Sequence, residues 1–308
     1  MSGRSSLSPS RLVRLLPFPY RAPTVPRGVE LPPEHRRTGS DFRTDWARRY
    51  PARLARLALL EGVMRPAVAV LAPPVRQGLD RLDGLDGPVI FAANHHSHLD
   101  TPLMLTSIPE PWRHRTFVGA AADYFFGTRP TGTMSALALN AVPIERTKIS
   151  RDSADRAAAL IDEGWSLLIF PEGGRSPDGW GQEFRGGAAY LSIRCGVPVV
   201  PVHIAGTDRV MPKGSNRPRR AATTVTFGVP IVPGAGDDTR RLGAHIETAV
   251  AELADESSTD WWTSRRNAAS GATPSLSGPE AGGWRRTWAL GERDPQRRRT
   301  RRRWPNLR

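Results

Sequence analysis

The sequence has a single cysteine and no long hydrophobic run. Because Cys195 is the only cysteine in 308 residues, the chain can form no internal disulfide and holds no C-x-x-C motif for zinc or redox chemistry. Its apolar stretches are much shorter than the roughly 18 residues that a membrane-spanning helix needs. Arg4, Arg11 and Arg14 interrupt the place where a secretory signal would need an apolar core. We therefore expect a cytoplasmic protein, one that can still touch a membrane surface.

The middle of the chain lacks a net charge, although the whole chain carries +14. Residues 1–50 hold ten Arg and four acidic residues, and residues 261–308 hold twelve Arg and three acidic residues, so residues 51–260 are close to neutral. A nucleic-acid-binding domain usually carries its positive charge on a folded face. Here the charge lies in segments rich in Pro, Gly, Ser and Arg, a composition typical of disorder. We expect no nucleic-acid partner.

Both basic ends are predicted to be disordered, the first over residues 1–50 and the second over residues 257–308. Seven prolines between positions 9 and 33 exclude a long helix from the first. The second contains five of the nine tryptophans, set among pairs and triplets of Arg. Trp beside Arg suits an anionic lipid interface, and stacking on nucleic-acid bases is the alternative for this tail.

A helical segment is predicted over residues 51–80. Its apolar positions at helical spacing and the basic residues among them are Leu54, Leu57, Leu60, Met64, Arg53, Arg56 and Arg65. Pro66 should kink or restart the helix. Two interpretations are open, a helix packed on the core and a basic amphipathic helix lying on a lipid surface. We assign the segment to the membrane surface, with Leu54, Leu57, Leu60 and Met64 in the headgroup boundary.

Short apolar runs alternate with helical patterns in the middle of the chain. The predicted strands are residues 89–92, 116–118, 141–144, 166–170, 197–202 and 223–227, and the predicted helices are residues 152–163, 186–195 and 238–254. Strands alternating with helices favour an α/β domain built on one sheet. We place this domain at residues 81–256.

A polar cluster, Asn94-His95-His96-Ser97-His98-Leu99-Asp100, follows the first predicted strand directly. A histidine at a strand end with an aspartate five positions later can be a base held by a carboxylate. The aspartate fixes the tautomer through one ring nitrogen, and the other nitrogen is free to take a proton from a hydroxyl.

The same cluster allows a metal site as an alternative. His96-x-His98-x-Asp100 is the start of the H-x-H-x-D-H ligand run of the metallo-β-lactamase fold, but Thr101 stands where the next His is needed. Only three histidines remain downstream to complete a two-metal hydrolase: His114, His203 and His245.

A second cluster, Phe170-Pro171-Glu172-Gly173-Gly174-Arg175-Ser176, follows another predicted strand. Its glycines allow a sharp turn with exposed backbone N–H groups, a shape suited to holding phosphate. Arg175 can add a forked, charge-assisted contact.

The two clusters together resemble the glycerolipid acyltransferase family, best known for the 1-acylglycerol-3-phosphate acyltransferases that make phosphatidic acid. Asn-His-x-Ser-x-x-Asp is followed about 75 residues later by Phe-Pro-Glu-Gly-x-Arg-Ser. The family's two other signatures match residues 142–146 (Val-Pro-Ile-Glu-Arg) and 200–202 (Val-Pro-Val), and all four stand in family order. The resemblance covers about residues 53–255. Gly174 replaces the usual Thr and Glu145 an Asp, departures that concern substrate preference more than reaction type.

The resemblance implies a role for each motif residue. His95 would be the general base, and Asp100 would orient it and stabilise its cationic form. The acceptor phosphate would be held by Arg146 and Arg175, with Glu172 and Gly173 shaping that site. Asn94 and Ser97 would support the loop. No role in catalysis is implied for His96, His98 or Cys195.

The resemblance also implies a fold and an activity: a central mixed sheet flanked by helices, and transfer of a fatty acyl group to a lysophosphatidate-like acceptor. The donor would be acyl-CoA or acyl carrier protein, without a metal or prosthetic group, at the cytoplasmic face of the cell membrane. Alternatives are another acceptor such as glycerol 3-phosphate or a different lysolipid, the metal-dependent hydrolase, and a binding protein with an inactive site.

Overall fold

A seven-stranded β-sheet forms the centre of the part of the chain that the structure describes. The computed structural model describes residues 39–145, 151–175, 180–211 and 217–278. The segments before residue 39 and after residue 278, both predicted to be disordered, lie outside the described residues.

The sheet is mixed, as predicted. Its strands are β1 (Pro74–Gln77), β2 (Ile90–Ala93), β3 (Thr116–Ala121), β4 (Ala141–Ile144), β5 (Ser166–Ile169), β6 (Val199–Ala205) and β7 (Thr223–Phe227). Their order is β1-β7-β6-β2-β5-β3-β4. All neighbouring strands run parallel except β6 and β7, which are antiparallel.

Helices precede, connect and follow the strands. They are α1 (Tyr50–Leu59), α2 (Arg65–Leu71), α3 (Asp100–Ser107), α4 (Ala122–Phe125), α5 (Arg129–Leu139), α6 (Arg151–Asp162), α7 (Gly187–Cys195), α8 (Thr207–Val210), α9 (Thr239–Ser258) and α10 (Trp261–Ser270). A π-helical turn, Leu60–Met64, joins α1 to α2.

The hydrophobic core lies on both faces of the sheet, and β2 contributes to both. Phe91 and Ala93 pack in one cluster with residues of α2 and α3, whereas Ile90 and Ala92 pack in the other with residues of α6, α7 and α9. A central strand that is covered on both faces is apolar at every position, because successive side chains point to opposite faces. This explains why β2 was recognisable as a continuous apolar run.

All six predicted strands and all three predicted helices are confirmed, the strands at residues 141–144 and 223–227 with the predicted ends and the other elements with shifted ends. Strand β4 contains Pro143, which has no N–H to give to a ladder. Because β4 is the last strand of the sheet, only one of its sides needs hydrogen-bond partners. Strand β1 was missed because four residues beginning with a proline carry almost no pattern. Because β1 begins at Pro74, the sheet starts before residue 81, where the domain was predicted to begin.

The segment predicted as a surface helix has two different sides. Leu54 and Leu57 are 49% and 44% exposed, but Leu60 is only 4% exposed and Met64 packs against the core. The placement of Leu60 and Met64 at a lipid boundary is therefore wrong, since the π-helical turn that carries them packs on α3.

Two further features of residues 51–80 differ from the prediction. Arg56 is buried and its Nη1 donates to the Ala47 carbonyl at 2.8 Å, so it cannot belong to a basic surface that faces lipid. The helix restarts at Arg65-Pro66 as predicted, but it ends at Leu71 and the chain then enters β1. Among the described residues, no helix combines the length and apolarity needed to cross a membrane.

Order extends beyond the predicted domain at both ends. Before it, the Phe42 ring packs against Phe126 with the ring centroids 5.3 Å apart. After it, Trp261–Ser270 forms α10, so the prediction of disorder from residue 257 is wrong for this stretch.

Specific polar contacts cap α10 and hold it against α9. The Asp260 side chain caps the helix by accepting from the backbone N–H of Thr263 at 3.0 Å. The Ser264 hydroxyl donates to the Glu252 carbonyl at 2.8 Å, and the Asn267 amide donates to the Asp255 carboxylate at 2.8 Å. Composition alone suggested disorder because it does not register these pairwise contacts.

We predict that Asn267→Ala lowers the free energy of unfolding by about 1–3 kcal/mol, because the buried Asp255 carboxylate loses a hydrogen-bond donor. Ser270→Ala, at the exposed end of the same helix, is the control and should have little effect. Urea unfolding followed by circular dichroism measures both. Equal stabilities of the two variants would mean that α10 is not docked through Asn267.

Candidate active site

The imidazole of His95 lies against the carboxylate of Asp100 where β2 ends and α3 begins. His95 Nδ1 and Asp100 Oδ2 are 2.9 Å apart, the Asp100 side chain is fully buried, and the His95 side chain is 16% exposed. A neutral ring that donates from Nδ1 keeps a lone pair on Nε2. The pair can therefore accept a proton at a nitrogen turned away from the carboxylate.

Asp100 is held by the loop that it closes. The same oxygen, Oδ2, accepts from the backbone N–H groups of His96 and Ser97 at 2.7 and 2.8 Å. The carboxylate also stands in the first turn of α3, where the helix dipole favours negative charge. These donors fix the position of the carboxylate and offset part of the free-energy cost of burying it.

Asn94 and Ser97 attach the loop to its surroundings. Asn94 exchanges two hydrogen bonds with the backbone of Ile204 in β6, one from its amide nitrogen at 2.9 Å and one to its amide oxygen at 2.6 Å. The Ser97 hydroxyl donates to the Met211 carbonyl at 2.8 Å. Both side chains are buried, and each reaches the backbone of a distant part of the chain.

The second cluster follows β5, the parallel neighbour of β2. Ala92 is in register with Ile169, so both strands end at the same edge of the sheet and their loops meet there. The Phe170 ring stacks on the His95 ring with the centroids 4.3 Å apart and the planes 23° from parallel. The strand pairing thus brings together two motifs that are far apart in sequence.

Glu172 connects the two loops. Its Oε1 accepts from the backbone N–H of His95 at 2.8 Å and its Oε2 from that of Gln182 at 2.9 Å. The side chain is only 2% exposed, and burial raises its pKa to about 7 although these two donors act in the opposite direction. Both carboxylate oxygens are therefore engaged by protein groups, and Glu172 links the backbone of His95 to that of Gln182.

Gly173 makes the turn that the cluster requires. Its φ of +68° lies in the left-handed region, and a Cβ there would come within 2.7 Å of Arg185 Nε. The turn is closed by the Gly173 N–H, which donates to the Phe170 carbonyl at 3.0 Å. A glycine is therefore required both for its conformation and for the close approach of an arginine.

Arg175 lies on this loop, close enough to the first cluster to affect it electrostatically. Burial lowers the pKa of His98 below its usual value, and the charge of Arg175 lowers it further. The other predicted phosphate ligand, Arg146, lies outside the described residues. The structure thus brings Asn94, His95, Ser97, Asp100, Glu172, Gly173 and Arg175 to one edge of the sheet.

The remaining histidines of the first cluster face other partners. The His98 ring stacks on Tyr124, and its Nε2 lies 3.0 Å from the phenol oxygen. His96 lines a cavity of about 220 Å³ together with Trp180 and His203. Within the described part of the chain, no three His, Cys, Asp or Glu side chains are placed to hold a metal ion.

Two residues of the site were not predicted from the sequence. Gln182 donates from its side-chain Nε2 to the carbonyls of Gly174 and Arg175, each at 3.2 Å. Arg185 lies over Gly173. Neither stands in a recognised motif, and only the three-dimensional path of the chain brings them to the loop.

The chain is similar to known acyltransferases. A family model described as Acyltransferase matches residues 74–205, which include both clusters. Chloroplastic 1-acyl-sn-glycerol-3-phosphate acyltransferases of Brassica napus and Arabidopsis thaliana are 34% and 33% identical over 141 residues. These alignments cover 45% of this chain, and the chain spans only 39% and 38% of the two plant proteins.

A solved structure is similar over more of the chain. The crystal structure of the 1-acyl-sn-glycerophosphate acyltransferase PlsC from Thermotoga maritima aligns with a TM-score of 0.53 and 25% sequence identity. The alignment covers 67% of this chain and 82% of that one.

We predict that the Glu172 carboxyl makes stability fall as pH rises. The unfolded chain releases this proton near pH 4.5 and the folded chain only near pH 7, so between these values the folded state binds more protons and the free energy of unfolding decreases with pH. Urea unfolding from pH 5 to 8 should show a flatter pH dependence for Glu172→Gln, by on the order of 1–3 kcal/mol across the range. The control Glu183→Gln removes a neighbouring exposed carboxyl and should keep the wild-type slope. Parallel curves for all three proteins would contradict the prediction.

Proposed function

We propose that this chain is a glycerolipid acyltransferase that transfers a fatty acyl group from a thioester to the hydroxyl of a lysophosphatidate-like acceptor, forming phosphatidic acid, and the similarity to known acyltransferases supports this. The observation that carries the proposal is the His95–Asp100 pair, which stands beside the Glu172–Arg175 loop at the ends of two adjacent parallel strands. A base and a candidate anion-binding loop at one edge are what acyl transfer to a phosphate-bearing alcohol requires.

The base acts on the acceptor hydroxyl. His95 Nε2 takes its proton while the oxygen attacks the thioester carbonyl carbon, so that the C–O bond forms and the C–S bond breaks. The leaving thiolate takes the proton back from the imidazolium. Asp100, only 2.9 Å from Nδ1, stabilises the imidazolium during this step and keeps Nε2 turned toward the acceptor. No acyl-enzyme forms, and no metal or prosthetic group has a step.

The loop after β5 recognises the acceptor phosphate. Arg175 supplies a planar guanidinium that can bind a phosphate through two parallel N–H groups. Arg146 is the second cation in this proposal, on the basis of its family motif. Glu172 fixes this loop relative to His95 by accepting from the His95 backbone N–H, so the distance from phosphate to base is set by the protein.

The donor in this proposal is acyl-CoA or acyl carrier protein, and the enzyme works as a peripheral protein at the cytoplasmic face of the cell membrane. The helical segment of α1 and α2 exposes the apolar side chains of Leu54, Leu57, Val63 and Val70. Side chains of this kind gain free energy when they enter the headgroup boundary of a bilayer. The arginine-rich ends add attraction to anionic lipid.

We predict that His95→Ala and Asp100→Asn each lower the rate of acyl transfer by about 100- to 10,000-fold, the usual contribution of a general base. The control His96→Ala, whose side chain has no part in the mechanism, should keep near-normal activity. Circular dichroism of each variant checks that the fold is retained. An active His95→Ala together with an inactive His96→Ala would show that His95 is not the base.

The assay uses purified full-length protein with labelled acyl-CoA or acyl carrier protein and a panel of acceptors, and identifies the product by mass spectrometry. Lysophosphatidate, glycerol 3-phosphate and other lysolipids form the panel. Phosphatidic acid as the main product would support lysophosphatidate as the acceptor. A different acylated product would show that the enzyme uses another acceptor. Release of free fatty acid that a chelator abolishes would favour the metal-dependent hydrolase.

We predict that Leu54→Gln combined with Leu57→Gln weakens binding to anionic vesicles by about tenfold or more, because two apolar side chains no longer enter the bilayer. Val229→Gln, at a 65% exposed position outside α1 and α2, is the control. Co-sedimentation with vesicles at constant salt measures all three proteins. Equal binding by the double variant and wild type would remove these leucines from membrane attachment.

A further inference from the structure

The chain beyond α9 returns to the candidate active site. Helix α10 ends at Ser270 with Gly271 as its C-cap, and Leu276 and Gly278 in the segment that follows lie against Gly181 and Trp180. The Gly181 N–H donates to the Leu276 carbonyl at 2.8 Å. Gly278 is so close to Trp180 that a Cβ on it would come within 2.5 Å of the indole. A segment outside the matched residues 74–205 thus supports a loop next to the site.

The residue that follows Gly181 is Gln182, which reaches the whole Glu172–Arg175 loop. Its backbone N–H donates to Glu172 Oε2 at 2.9 Å, at one end of the loop. Its side-chain amide donates to the carbonyls of Gly174 and Arg175, both at 3.2 Å, at the other end. One residue therefore binds both ends of the loop.

These contacts constrain the backbone that carries Arg175. A carbonyl that accepts a hydrogen bond fixes the plane of its peptide unit, and two successive fixed peptide planes leave the Cα of Arg175 little freedom to reorient. The Arg175 side chain therefore starts from a defined position. Gln182 itself is half-buried in a loop and contacts backbone atoms, so any effect of its side chain on a ligand passes through the loop that it holds.

We propose that Gln182 is a positioning residue that aligns Arg175 for acceptor binding, and that residues 271–278 hold Gln182 in place. This inference rests on the proposed function, in which Arg175 binds the acceptor phosphate. It extends the functional site to a part of the chain that follows the acyltransferase fold in sequence.

The first test is Gln182→Met, which keeps the length of the side chain and the backbone N–H but removes the amide donor. The Michaelis constant for lysophosphatidate should rise about tenfold, on the scale of one or two lost hydrogen bonds. The kcat and the Michaelis constant for acyl-CoA should change less than twofold. Gln77→Met, on the exposed edge strand β1, is the matched control and should leave all three constants unchanged.

A double-mutant cycle with Arg175→Ala separates positioning from general stability. If Gln182 acts through Arg175, the tenfold effect of Gln182→Met disappears when Arg175 is already alanine. Additive effects, or a fall in kcat that follows a lower melting temperature, would overturn the inference. If Arg175→Ala alone leaves the acceptor constant unchanged, the proposed role of Arg175 is itself wrong. If only Gln182→Met has no effect, that role stands and the inference about Gln182 fails.

The second test addresses residues 271–278 in the full chain. Gly278 and Gly271 have positive φ values of +78° and +68°, so alanine strains the backbone similarly at both. Only at Gly278 does the new Cβ collide with Trp180, since no atom lies within 4 Å of the Cβ position at Gly271. Gly278→Ala should raise the acceptor constant severalfold and Gly271→Ala should not. Equal constants for the two variants would remove the C-terminal segment from the inference.

Discussion

Burial of the Asp100 carboxylate is the constraint on which the rest of the site depends. A charge without access to water is costly unless donors surround it. Here one carboxylate oxygen is hydrogen-bonded to the His95 ring and to two backbone N–H groups, and the carboxylate lies at the start of a helix. The chain between β2 and α3 must fold into a tight loop for those donors to converge. The orientation of the imidazole follows from that loop, so a requirement of electrostatics determines where a proton can be taken up.

The second loop is tied to the first through backbone atoms. Glu172 accepts from the N–H of His95 and from that of Gln182, so its position depends on the course of the chain on both sides of the site. Asn94 ties the first loop to β6 in the same way. Side chains thus replace the strand pairing that ends where the loops begin. The parallel strands β5, β2 and β6 end at this edge, so their pairing determines where the loops begin.

The sequence predicted the sheet and the His95–Asp100 pair because both have local patterns. Strands that are buried on both faces are uninterrupted apolar runs, and the spacing of five residues is short enough for one loop to close. Features that depend on distant contacts were missed or misplaced. Leu60 has the same helical spacing as Leu57, and only packing on α3 distinguishes them. Helix α10 and Gln182 likewise depend on partners that composition cannot identify, Asp255 for the one and the Gly174 carbonyl for the other.

The two outer strands of the sheet have a consequence for self-association. Both β1 and β4 are only four residues long, and each contains a proline, Pro74 in the one and Pro143 in the other. An open edge is a template on which a strand of another molecule can add, and aggregation begins in this way in many β-proteins. Short strands offer few ladder positions, and a proline gives no donor at one of them. The sheet is therefore protected at both ends against growing from one molecule into the next.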